Sequence, residues 1–179
     1  MNFKKIEILL GMKEIKRLPN TPHLQGYNLL EHCYTVAMLF KWFAAEENVS
    51  YDMETFDKIL LHDFVESVTG DLNACVKKYN EKTDAAWKVI EEEICNSDII
   101  LSKYSDKAIK GSMKELQYRL FKTCDYLELW IFCRREQALG NKTKKICECI
   151  NNCHKLMAKY SDNWKYFKSI KKFMEQYEA

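Results

Sequence analysis

The stretch Leu61-His62-Asp63-Phe64-Val65-Glu66-Ser67-Val68-Thr69-Gly70-Asp71 sets an imidazole and a carboxylate side by side, ahead of a Thr-Gly break. Upstream, Asp52 has the character of a cap for a helix through Phe56, Ile59, Leu60 and Phe64, so the His-Asp pair is expected near that helix's C-terminal end. Neighbours on a helix point roughly 100° apart, so such a pair reaches one cation only from the edge of a face. Further ligands must then come from other helices. Glu66 shares the face one turn on, close enough to hold a water beside a metal without being a ligand. Gly70 suits a left-handed exit from the helix, and Asp71 just past it turns a second carboxylate back toward the pair. A His-Asp dipeptide alone is weak evidence; residues elsewhere give it weight.

Composition narrows the fold. The 179 residues suit one domain spanning residues 1–179 and long enough for a proper core. Apolar residues make up 47% and charged residues 30%, with only 5 Gly and 2 Pro, which disfavours many-turned β architectures and favours an all-α chain. The 28 basic and 26 acidic residues nearly cancel to +2, so no global field points to a nucleic-acid polymer, and any phosphate binding must be local. Eight cysteines lack a Cys-x-x-Cys pair, and the apolar run between Met1 and Leu10 is too short for a secretory signal, so they read as reduced thiols in a cytoplasmic protein. Cys147, Cys149, Cys153 and His154 fall on one predicted helix, where 147 and 149 face opposite sides and do not make a tetrahedral zinc site. No apolar run reaches the roughly 18 residues a membrane span needs. The Lys- and Asn-rich make-up suits an AT-rich genome, such as that of a bacteriophage acting in its host's cytoplasm.

Along the chain, Asn2 can cap a first helix to about Lys16, and Pro19 and Pro22 enforce a loop from Arg17 to Tyr27. Asn28-Leu29-Leu30-Glu31 has the form of a capping box, which puts His32 in the first turn of the next helix. Thr83 to Cys95 reads as a helix with Trp87, Ile90 and Ile94 inward and Glu91, Glu92 and Glu93 as a solvated outer face. The pattern weakens over 97–110, where a short helix or turn is expected. Ser112 opens a second capping box for a long helix that Gly140 terminates. Asp125, among Cys124, Tyr126 and Leu127, is costly to desolvate unless paired or metal-bound. Two further helices, about Asn141 to Lys159 and Asp162 to Gln176, carry an apolar stripe from Ile146 to Phe173 that reads as core or partner surface.

His32, His62, Asp63 and Asp125 thus stand as metal-ligand candidates on three helices. Two imidazoles and two carboxylates suit one divalent ion, with Mn²⁺, Co²⁺, Fe²⁺, Ni²⁺ and Zn²⁺ all open. Such an ion lowers the pKa of a water that Glu66 and Asp71 can orient or deprotonate, and the reaction implied is metal-assisted hydrolysis.

The order His32, His62-Asp63, Asp125 resembles the HD-domain phosphohydrolases. Glu31-His32, His62-Asp63-x-x-Glu66, Thr69-Gly70-Asp71-Leu72 and Val76-Lys77, with Arg17 ahead of Pro19, resemble their 5′-deoxyribonucleotidase branch. The resemblance implies an HD-domain bundle of about six to eight helices, often a homo-oligomer of two or more chains, that hydrolyses deoxynucleoside 5′-monophosphates with a divalent metal. It implies His32, His62, Asp63 and Asp125 as ligands, Glu66 and Asp71 around the attacking water and leaving oxygen, and Arg17 and Lys77 on the phosphate. Many relatives carry a base-stacking Trp where this chain has Leu18, and Pro where it has Asn73 and Cys75. The Gln25-Gly26-Tyr27 segment lacks their Arg, leaving Tyr27 to contact base or sugar. Small bacteriophage HD proteins that release triphosphate from dATP are also similar. Without the resemblance, His23 ranks equally with His32 as a ligand, while Arg17 and Lys77 read as surface cations.

Overall fold

The computed structural model describes residues 3–72, 77 and 79–178. Among these the only backbone ladder is one isolated antiparallel bridge, Lys16 to Asn28; the rest is helix and connection, an all-α fold. In chain order the helices are α1 (Phe3–Gly11), α2 (Leu29–Glu46), α3 (Met53–Leu60), α4 (Glu66–Thr69), α5 (Glu81–Ser97), α6 (Ile99–Ser102), α7 (Asp106–Ser112), α8 (Glu115–Ala138), α9 (Lys144–Tyr160) and α10 (Lys168–Glu178). The chain divides into two compact units, residues 1–33 with 61–112, and residues 34–60 with 113–179.

The first unit is built on a buried cluster of Met12, Leu29, Cys33, Leu61, Phe64, Leu101 and Tyr104, with Ile8, Ile15, Ile94 and Ile100 packed against it. α1 stops at Gly11, and a 3₁₀ turn over Met12–Glu14 replaces the last turn that the sequence pattern suggests. Met12 is fully buried there, so packing fixes the tighter winding. The start of α2 follows the sequence: the Asn28 side-chain oxygen accepts from Glu31 N–H at 2.9 Å. The expected Asn2 cap lies outside the described residues.

The helix expected through Phe64 ends at Leu60. Beyond it the chain winds by three-residue bonds, Phe64 N–H to Leu61 C=O at 3.0 Å, Glu66 N–H to Asp63 C=O at 2.9 Å and Val68 N–H to Val65 C=O at 3.0 Å. Leu61 and Phe64, both buried, draw the segment into the core and cause the change of winding. Phe64 meets Tyr104 edge to face, ring centroids 5.3 Å apart. α5 starts at Glu81, earlier than expected, because Asn80 and Thr83 bond each other's backbone reciprocally at 2.9 and 3.0 Å.

In the second unit Asp52 caps α3, accepting Thr55 N–H at 2.8 Å. α8 begins two residues later than the Ser112 box implies: Ser112 Oγ donates back to Ile109 C=O at 2.9 Å, and Lys114 N–H donates to the Gln117 side chain at 2.8 Å. α8 packs along α9 with Leu120, Leu127 and Trp130 facing a core shared with Ile146, Ile150 and Met157. α10 begins at Lys168, past the expected Asp162, because Asp162, Asn163, Trp164 and Phe167 all take positive φ. The fully buried Ser161 organises that run, its oxygens accepting from Trp164 and Tyr166 N–H. Gly140 ends α8 as expected, at φ 99°, with its N–H on Gln137 C=O and Asn141 N–H on Glu136 C=O. Gly140→Ala is expected to cost about 1–2 kcal/mol, the strain of a side chain in the left-handed region, read as a lower midpoint at unchanged slope in urea unfolding.

Candidate metal centre and phosphate cleft

His32 lies in the first turn of α2, and His62 and Asp63 lie on the tightly wound segment before α4. The three meet: His32 Nε2 is 3.2 Å from His62 Nε2 and 3.5 Å from Asp63 Oδ2, which is 3.4 Å from His62 Nε2. His32 is fully buried and His62 nearly so. Donors about 2.0–2.2 Å from one cation stand about 3.0–3.5 Å apart, so these separations fit adjacent positions of one coordination sphere. Among the described residues this is the one group of three such side chains close enough to share a metal ion.

Charged groups crowd around it. Arg17 Nη1 donates to Asp63 Oδ2 at 2.7 Å and lies 3.7 Å from Glu66 Oε2. Lys77 Nζ donates to Glu66 Oε1 at 3.0 Å and lies 3.5 Å from Glu91 Oε1, with the Trp87 ring 5.5 Å away. Glu66 Oε2 and Arg17 Nε are buried without a hydrogen-bond partner, so each can take a further polar partner. Burial, and then the Asp63 carboxylate, push the Glu66 carboxyl up to about 8 against the pull of Arg17 and Lys77. A dication on Asp63 opposes that rise. Burial works against both charges, yet Tyr27 and then Asp63, Glu66 and Asp71 raise the Arg17 pKa above its ordinary value, and Glu66 and Glu91 raise that of Lys77.

Asp71 turns back as expected, but to the backbone: its Oδ2 accepts Leu18 N–H at 3.2 Å. Leu18 sits at φ 51°, and Gly70 makes the approach at φ 77° and ψ 157°, a positive-φ conformation that is extended rather than helical in ψ. Tyr27, expected against base or sugar, is buried with its hydroxyl 3.3 Å from His32 Nδ1. His23 Nδ1 is bonded within its own loop, to Gln25 C=O, and His154 packs edge-on against Trp130. Asp125 lies on α8 in the second unit, its carboxylate bonded to Lys122. That Lys122 partner one turn before it offsets the desolvation cost the sequence attached to Asp125. Val76, Asn73 and Cys75 lie outside the described residues.

Glu91 is the residue that sequence reasoning missed. It belongs to the inward face of α5 with Trp87, Ile94 and Cys95, while Ile90, expected inside, is exposed. Lys77, largely buried beside Glu66, takes Glu91 as a second counter-charge, a pairing that no local pattern in the sequence announces. Beside the metal-binding group opens a cavity of about 520 Å³, lined by His62, Asp63, Glu66, Lys77 and Glu91 and continuing to Lys107.

The profile of the family described as 5′-deoxynucleotidase YfbR-like matches residues 4–177. The chain belongs to the YfbR-like family. It is therefore a hydrolase. The 5′-deoxynucleotidase YfbR of Salmonella paratyphi B is 27% identical over 144 residues, 74% of this chain and 72% of that protein. An HD-domain phosphohydrolase from Listeria innocua has the same fold, with a TM-score of 0.79 at 21% identity over 97% of this chain and 85% of its own. The cyanophage S-2L HD phosphohydrolase DatZ, solved bound to dA and one catalytic Zn²⁺ ion, has a TM-score of 0.67 at 18% identity over 96% of this chain and 93% of its own. Among the described residues no helix is long and apolar enough to cross a membrane.

Chelator-stripped protein is expected to take up one equivalent of a divalent transition ion, and His62→Ala to lose it, as read by elemental analysis after desalting.

Proposed function

We propose that this chain, acting as one domain over residues 1–179, hydrolyses deoxynucleoside 5′-monophosphates to deoxynucleoside and orthophosphate with one divalent metal ion. The observation that carries the reading is the convergence of His32, His62 and Asp63 beside Arg17, Lys77 and Glu66, in a chain of the YfbR-like family. Asp125 enters as the fourth protein ligand through the resemblance alone. The metal, of the set Mn²⁺, Co²⁺, Zn²⁺, Fe²⁺ and Ni²⁺, supplies Lewis acidity to the phosphoryl group and acidity to a water when bound.

The protein's own groups do the rest. Arg17 and Lys77 offset charge on the phosphate, Arg17 as a planar donor pair and Lys77 as a point charge. A water oxygen attacks phosphorus as the P–O5′ bond breaks; its proton goes to Glu66 Oε2, which has no donor of its own, and the leaving O5′ takes a proton from solvent water while Glu66 later returns its own to solvent. Asp71 keeps Leu18 and the Arg17 segment against the cleft, and Leu18 borders the base. An assembly of two or more chains in the cytoplasm belongs to the same proposal, and its mass is read by light scattering.

Metal-stripped protein reloaded with Mn²⁺ or Co²⁺ is incubated with dAMP, dATP and their ribo counterparts, and products are separated by ion exchange. Nucleoside and orthophosphate from dAMP are expected. Intact triphosphate from dATP with dAMP untouched makes it instead a triphosphohydrolase, and unchanged nucleotide under every metal sinks the enzyme reading. Glu66→Gln is expected to keep the metal and lower kcat by roughly 10²–10⁴-fold, whereas Asp125→Ala loses metal and activity together. Equal metal loss in both contradicts the role given to Glu66.

A further inference from the structure

The Arg17–Tyr27 loop is closed at its neck by two main-chain bonds, Arg17 N–H to Tyr27 C=O and Leu29 N–H to Ile15 C=O, both at 3.0 Å. That closure sets Arg17 and Tyr27 side by side just before α2. The Arg17 guanidinium lies over the Tyr27 ring, 5.6 Å from its centroid, and the ring meets His32 edge-on at 6.2 Å and 89°. The Tyr27 hydroxyl oxygen stands 3.3 Å from His32 Nδ1, with Tyr27 at 5% and His32 at 0% exposure. The other nitrogen of that ring, Nε2, is the one that faces His62 and Asp63. An imidazole that offers the Nε2 lone pair to a cation carries its proton on Nδ1, and that proton needs a buried acceptor.

We propose that Tyr27 is a positioning residue for the metal ligand His32. Its hydroxyl oxygen accepts the Nδ1 proton and so fixes both the tautomer and the ring angle that present Nε2, while its ring face carries the phosphate cation Arg17. The inference rests on His32 being a metal ligand, as the proposed function has it. One side chain then joins the two halves of the site, and the hydroxyl and the ring do separate work.

Tyr27→Phe removes the oxygen and leaves the ring under Arg17. Metal-stripped full-length wild type and variant are titrated with Zn²⁺ against a competing chromophoric chelator, and the metal-free proteins are melted in parallel. Zn²⁺ affinity in the variant is expected to fall about 10–100-fold, the usual weight of a group behind a ligating histidine, with the metal-free Tm close to wild type and a shifted Co²⁺ absorption band. Equal affinity and an unchanged Co²⁺ spectrum overturn the proposal, whatever happens to Tm, because the hydroxyl then serves packing alone. Wild-type protein that takes up no metal removes the underlying reading and this one with it. A second measurement needs no variant: long-range ¹H–¹⁵N correlation on the zinc-loaded wild type is expected to report His32 protonated at Nδ1, and protonation at Nε2 overturns the proposal.

Discussion

His32 Nε2 and His62 Nε2 face each other at 3.2 Å in a buried space, with Asp63 Oδ2 within 3.5 Å of both. One proton between the two nitrogens makes a single N–H···N bond and leaves the carboxylate oxygen crowded against both imidazole nitrogens with no further proton to share. A cation shared by all three resolves the conflict, because every donor in the set can point a lone pair at it. The surrounding structure serves this meeting. The Asn28 cap starts α2 where His32 falls in its first turn, and Phe64 anchors the next segment in the core immediately after the His-Asp pair.

The second constraint is charge. Arg17, Lys77, Asp63, Glu66 and Glu91 are partly or largely withdrawn from water, where an isolated ion is costly and a paired one tolerable. Their pairing is a chain, from Asp63 through Arg17 to Glu66, then through Lys77 to Glu91. Asp63 Oδ2 is claimed twice, by Arg17 at 2.7 Å and by its place beside the two imidazoles. One carboxylate oxygen cannot serve a guanidinium and a dication at full strength. Under the proposed function, a metal held by Asp63 would loosen Arg17 from it and leave that guanidinium for phosphate, coupling the two binding events through a single atom.

Capping at Asn28 and Asp52 and termination at Gly140 were legible because they rest on local chemistry, whereas the Ser112 box gave way to one built on Lys114 and Gln117. Of the four ligand candidates the sequence named, His32, His62 and Asp63 come together, while Asp125 stays a candidate through the resemblance. What the sequence hid is set by tertiary forces. The change of winding after Leu60 follows from burying Leu61 and Phe64 together, which periodicity reads simply as more helix. The left-handed run after Ser161 depends on that serine being buried, which no propensity announces. Glu91 looked solvated because an acidic triplet usually is, and only the position of Lys77 turns one of the three inward.

The cavity beside the metal-binding group bears on which phosphate chain it suits. Its lining includes the carboxylates Asp63, Glu66, Glu91, Glu92 and Asp106 against the amines Lys77, Lys88 and Lys107. Lys77 and Lys107 lie within ion-pair range of Glu91 and Glu92 there, and Lys88 is paired with Asp84. A monophosphate brings roughly −1.5 to −2 charges, which Arg17, Lys77 and a dication can balance. A triphosphate adds further charge beside Glu66 and Glu91, the lining carboxylates most withdrawn from water with Asp63, while the pairs of the exposed Lys88 and Lys107 are weak. Like-charge contacts in a partly desolvated cleft are strongly unfavourable, so the same carboxylates that hold Lys77 against Glu66 weigh against a longer phosphate chain. Under the proposed function, the carboxylates that hold Lys77 in place would in this way also favour the shorter phosphate chain.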